Sequence, residues 1–121
     1  MCLIRPVDQN ENKIADNVAL RYINKKWTDD TVVFKAFIYH DGELINENKD
    51  FTISYTWESQ NVRIIPYENV YNKIQIKGDG KKVKDRYSEN GLKQGSDNIN
   101  PQSPGKLVGF YIKVQVNIKY N

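Results

Sequence analysis

Residues 107–120 read Leu-Val-Gly-Phe-Tyr-Ile-Lys-Val-Gln-Val-Asn-Ile-Lys-Tyr, and they constrain the fold more than any other stretch of the chain. Phe110, Ile112, Val114, Val116, Ile118 and Tyr120 share one parity, while Tyr111, Lys113, Gln115, Asn117 and Lys119 share the other. Successive side chains of a strand point to opposite faces, so this is one long strand with an apolar side and a wet side. A helix would scatter the same residues around its circumference. The pattern sets the class as antiparallel β and says nothing yet about chemistry.

Other segments repeat the theme. In Thr31–His40, Val32, Phe34, Ala36 and Ile38 share one face and Val33, Phe37 and Tyr39 the other, the pattern of a central strand or of one whose outer face is covered. Asp41-Gly42 then supplies the left-handed position of a tight turn. In Asp50–Trp57, Phe51, Ile53, Tyr55 and Trp57 alternate with Thr52, Ser54 and Thr56. Shorter strands are expected at Asn17–Ile23, at Asn61–Ile65 where Pro66 stops the run, and at Lys73–Lys77 before Gly78-Asp79-Gly80. Any helix is expected to be a single turn near Tyr67–Tyr71.

Between Gly78 and Lys106 the composition turns to Gly, Asn, Ser, Lys and Asp, with Pro101 and Pro104. This reads as one long polar loop, inside which Val83, Tyr87 and Leu92 offer anchors for a further hairpin. The expected organisation is an arm or edge strand at 1–17, then one all-β antiparallel sandwich over 18–121 with the loop at 78–106. Six or seven strands are expected, a small barrel being the alternative that periodicity does not separate. The expected core holds Phe34, Ile38, Ile53, Tyr55, Trp57, Phe110, Ile112 and Val114.

A chain of 121 residues can bury one core without staples. The single Cys2 excludes an internal disulfide and a four-ligand zinc site, and no stretch has the length of a signal peptide or membrane span. The expectation is a soluble chain without a cofactor. Its net charge of +3 falls short of the excess a duplex-binding domain carries, so nucleic acid is disfavoured.

Catalytic templates lack parts. His40 is the only histidine, at a strand end, and no serine stands in a strained glycine-flanked turn, so no enzyme is expected. Asp29-Asp30 reads as a turn that caps backbone amides more readily than as a calcium site. Two clusters remain. Lys81, Lys82, Lys84 and Arg86 with Tyr87 suit an acidic partner: nucleic acid, a teichoic-acid-like polymer or an acidic protein face. Trp27, Tyr67, Tyr71 and Tyr111 are the rings best placed to be exposed as a platform for sugar.

Three segments together carry a resemblance: Thr31–Ile45 with its Asp41-Gly42 hairpin, Phe51-Thr-Ile-Ser-Tyr-Thr-Trp57, and Gly109-Phe-Tyr-Ile-Lys-Val-Gln-Val116. They resemble the immunoglobulin-like β-sandwich modules of tailed-bacteriophage virion proteins and bacterial surface proteins. The resemblance covers about a third of the chain and lacks the inter-sheet cysteine pair. It implies that Trp57 packs between the sheets and that the strand after Gly109-Phe110 crosses opposite it. It further implies a structural or assembly module of the capsid, neck or tail, located in the virion and contacting other subunits or itself. The alternative is an adhesion domain at the cell surface or outside the cell that recognises a bacterial surface polysaccharide.

Overall fold

The computed structural model describes residues 1–14, 20–23, 26–45, 50–78, 82–97 and 109–121. Its strands are β1 (Cys2–Val7), β2 (Tyr22–Ile23), β3 (Lys26–Trp27), β4 (Thr31–His40), β5 (Glu43–Ile45), β6 (Phe51–Gln60), β7 (Arg63–Tyr67), β8 (Val70–Lys77), β9 (Lys82–Ser88), β10 (Gly91–Asp97) and β11 (Tyr111–Tyr120). β1, β4, β8 and β7 form one antiparallel sheet in that order, with β5 also on β4. β10, β9, β6 and β11 form a second, and β2 and β3 a two-stranded ribbon. The two large sheets pack face to face as a β-sandwich.

The alternating residues meet where their parity sends them. Phe34, Ala36 and Ile38 of β4 and Ile74 and Ile76 of β8 face Ile53, Tyr55 and Trp57 of β6 across a common core. Trp57 is fully buried, and its indole Nε1 donates to the Tyr71 carbonyl of the opposite sheet at 2.7 Å. Phe110, Ile112 and Val114 are half-buried against the same core, with Phe110 edge-on to Phe34. β11 lies beside β6 in the same sheet, Val114 opposite Trp57, and does not cross it from the other layer. Val114, Val116, Ile118 and Tyr120 stand opposite Trp57, Tyr55, Ile53 and Phe51, so adding β11 as a fourth strand extends the core face.

Four expectations are corrected. Eleven strands are described where six or seven were expected: β2, β3 and β5 are only two or three residues long, and β9 and β10 fall in the segment expected as loop. Much of 78–106 is not loop: β9 and β10 pair over seven positions through a turn at Glu89-Asn90, and Val83, Tyr87 and Leu92 do anchor that hairpin. Pro66 lies within β7, where it is tolerated because β7 is an edge strand and the register shifts right after it. Tyr67–Tyr71 is a hairpin turn with Asn69 at φ 57°, not a helical turn. Of the strand expected at Asn17–Ile23, residues 17–19 lie outside the described residues, and of the rest only Tyr22–Ile23 is strand, as β2.

Candidate functional site: the outer face of the β10-β9-β6-β11 sheet

The sandwich has two outer faces, and they differ in how their charges are met. On the β1-β4-β8-β7 sheet, residues 8–14 fold back along β1, held by Asp8, whose Oδ1 accepts the amides of Asn10 and Asn12. This turn carries Glu11 onto the sheet, where its carboxylate takes Lys35 Nζ at 2.7 Å and Lys73 Nζ at 3.1 Å. Those hydrogen bonds from Lys35 and Lys73 hold the Glu11 carboxyl below its ordinary pKa. Lys13 and Lys35 also sit over the Phe37 ring, and Lys73 over Tyr67.

On the other sheet, register builds rows that sequence distance hides. Lys93 of β10, Arg86 of β9, Glu58 of β6 and Lys113 of β11 are successive cross-strand partners. The next row is Gly95, Lys84, Gln60 and Tyr111. Glu58 is the only carboxylate among the described side chains of this face, 3.9 Å from the Arg86 guanidinium. Lys119 lies further along β11 on the same parity. Gly91 and Gly95 flank Lys93 on β10 and add no side chain, and open depressions flank this row. The larger is about 400 Å³, lined by Lys84, Arg86, Lys93, Gly95 and Tyr111 among others. The smaller is about 170 Å³, lined by Thr56, Arg86, Ser88, Gly91 and Lys93 among others. A flat face of this kind holds cations in fixed rows about one strand spacing, roughly 5 Å, apart. That arrangement attracts an acidic surface and steers its approach.

Of the basic cluster named from the sequence, Lys84 and Arg86 lie on this face. Lys81 falls outside the described residues, and Lys82 opens β9. Tyr87 belongs to the core and not to the contact surface. It has the opposite parity to Arg86, is 5% exposed, stacks on Tyr71 and donates its hydroxyl to the Tyr67 carbonyl at 2.8 Å. Burial raises its pKa. The four rings proposed as a sugar platform are dispersed. Tyr71 packs against the core, Tyr67 lies half-buried beneath Lys73 with its hydroxyl accepting from Gln75, and Trp27 is half-buried against Gly78. Tyr111 alone of the four is exposed, at 53%, and it borders the cationic rows.

Sequence reasoning had not assigned Glu58, Gln60, Lys93, Lys113 or Lys119 to the site. The available signal was the wet parity of β6 and β11, which becomes a shared surface only once the strand pairing is known. Cys2 stands opposite Ile38, two residues from His40, and burial pushes its thiol pKa up, away from the activated thiolate a nucleophile needs. Among the described residues, no cluster of three or more His, Cys, Asp or Glu is placed to hold a metal ion, and no helix is long and apolar enough to cross a membrane. Compared with known proteins, the chain matches no family model, no curated sequence and no solved structure.

Proposed function

We propose that this chain is a non-enzymatic assembly module that docks an acidic protein surface on the outer face of β9, β6 and β11. Following the resemblance, we place it in a bacteriophage particle as a capsid, neck or tail component. The observation that carries the docking reading is the row Lys93, Arg86, Glu58 and Lys113, continued by Lys84 and Tyr111 in the row beside it. Support for the resemblance comes from connectivity. The order β1-β4-β8-β7 against β10-β9-β6 is that of the seven-stranded immunoglobulin-type Greek key, with β11 added beside β6 where variable-type domains add strands. The buried Trp57 sits on the third strand of that order, its usual place in such domains. The dispersal of the rings favours a protein surface over a glycan platform.

The test is particle composition. Purified particles should contain the chain at a fixed copy number, read by quantitative mass spectrometry. Double charge reversal, Lys84→Glu with Arg86→Glu, should remove it from particles while leaving the purified protein folded. A chain absent from particles, or incorporated as well after reversal, would overturn the reading.

A further inference from the structure

The four edges of the two sheets are not equally protected. Exposed strand edges invite pairing with another chain, and proteins blunt them with proline, bulges, glycine-broken regularity or short length. β1 contains Pro6, β7 contains Pro66 and a register shift, and β10 contains Gly91 and Gly95. β11 has none of these. It holds ten residues in unbroken register with β6, and among the described residues nothing pairs with its outer side.

The orientation of its backbone follows from one bond. The Asn121 amide donates to the Asp50 carbonyl, continuing the ladder in which Tyr120 faces Phe51. In an antiparallel ladder, alternate residues bond the neighbouring strand. The odd residues of β11 therefore bond β6, and Ile112, Val114, Val116, Ile118 and Tyr120 turn their N–H and C=O groups to the open edge. Ile118 and Tyr120 are also 42% and 69% exposed, apolar side chains without full cover.

Residues 112–118, Ile-Lys-Val-Gln-Val-Asn-Ile, are almost the same read in either direction about Gln115. We infer that β11 pairs with β11 of a second copy, antiparallel, on a two-fold axis through Gln115. This rests on the assembly reading above and names one of its partners. In that register Ile112 meets Ile118 and Val114 meets Val116, all of them residues whose backbone groups face the edge. Tyr120 comes opposite Phe110, so both exposed apolar side chains gain apolar neighbours. Lys113 meets Asn117 and Lys119 meets Tyr111, so no like charges oppose. Moving the axis by one residue to Val116 sets Lys113 against Lys119 twice, which is unfavourable. A shift that moves the axis by half a residue puts apolar faces against wet ones. The near-palindrome and the charges thus favour this register over an axis on Val116 or between residues, and the two sheets merge into a single continuous one.

The test is molar mass by light scattering over a concentration series. Wild type should pass from monomer to dimer. Val116→Pro removes an edge-facing N–H without touching the β6 ladder and should leave a folded monomer at every concentration. Gln115→Lys and Gln115→Glu place like charges across the axis and should each weaken the dimer about 5- to 10-fold. An equimolar mixture of the two should recover it, a result that only this register gives. A wild type that stays monomeric overturns the inference. So does a dimer indifferent to all three substitutions, which leaves assembly through another surface intact. A normal dimer from a chain absent in particles would instead remove the assembly reading and keep this contact.

Discussion

Asp85 joins the two sheets, and its removal should be among the most costly single changes in the chain. Its side chain is fully buried on the core face of β9. One carboxylate oxygen accepts the Ile64 amide at 2.8 Å, and the other takes Arg63 Nη1 at 3.1 Å, both from β7 of the opposite sheet. Asp85→Ala leaves the Ile64 N–H without its acceptor in a buried site, which costs about 1–3 kcal/mol. The Arg63 side chain is 22% exposed and reaches water in part, so its loss adds only about 1 kcal/mol, less than for a fully buried pair. The sum is about 3 kcal/mol. At about 4 °C per kcal/mol for a chain of this size, the melting temperature should fall by about 12 °C. Asp85→Asn keeps an oxygen for the Ile64 amide and loses only the charge toward Arg63, so it should cost about 1–2 kcal/mol. Urea denaturation followed by tryptophan fluorescence reads both, with the slope unchanged. Equal costs for Ala and Asn would refute the division between backbone and guanidinium. A cost below about 1 kcal/mol for Ala would refute the cross-sheet tie itself.

Gly78→Ala should destabilise by about 1–3 kcal/mol, because a Cβ there would stand 2.6 Å from Trp27 Cδ2 and the indole must move. Gly42→Ala meets no atom within 4 Å and should cost only about 1–2 kcal/mol from its left-handed φ of +80°, without the change in tryptophan fluorescence that Gly78→Ala gives. Trp57→Phe should cost about 2–3 kcal/mol, since it leaves the Tyr71 carbonyl without its donor and a void in the core, read by the same denaturation assay. In acid, Asp30 and Glu11 both contribute. Hydrogen bonds from Arg21 and Thr28 lower Asp30 from 3.8 to about 2, and Lys35 and Lys73 lower Glu11. Depressed carboxylates stabilise fully above their unfolded values and lose that stability as pH falls through the folded ones. Stability should therefore drop between about pH 4.5 and 2, and Asp30→Asn should flatten the lower part of that slope in melts taken across the range.

The strands that could be read directly were those with a long regular parity, either apolar against wet or apolar on both. β6 and β11 alternate apolar with wet residues and β4 is apolar on both parities; each is a single ten-residue strand, β6 running on to Gln60 beyond its expected end at Trp57. β9 hid the same alternation. Its core positions are Val83, Asp85 and Tyr87, so a buried carboxylate broke the apolar run and Lys-Val-Lys-Asp-Arg-Tyr looked like charged loop. Asp85 is tolerated inside only because its partners come from β7, and nothing near it in sequence announces them. The candidate site was illegible for a related reason. Lys84 and Arg86 stand out within one strand, but Lys93, Glu58 and Lys113 become their neighbours through pairings across three other strands.

Charge alone would not single out one face, because lysines stand on both. The decisive difference is where the carboxylates go. On the β1-β4-β8-β7 sheet the N-terminal turn delivers Glu11 between Lys35 and Lys73, and Lys13, Lys35 and Lys73 also lean on aromatic rings of the chain itself. Those cations have intramolecular partners that a docking protein would need to displace. On the opposite face Glu58 meets Arg86 at 3.9 Å with both side chains about half exposed, a separation at which an ion pair contributes little. An acidic partner that meets Arg86 there breaks no strong contact. β11 also links the two proposed contacts: its wet parity lies on this face, and its backbone forms the open edge. Pairing two copies along that edge would set their cationic faces side by side in one sheet and double the surface an acidic partner meets. The two contacts should therefore reinforce each other, since a docked partner that spans both copies holds the edge pair together as well.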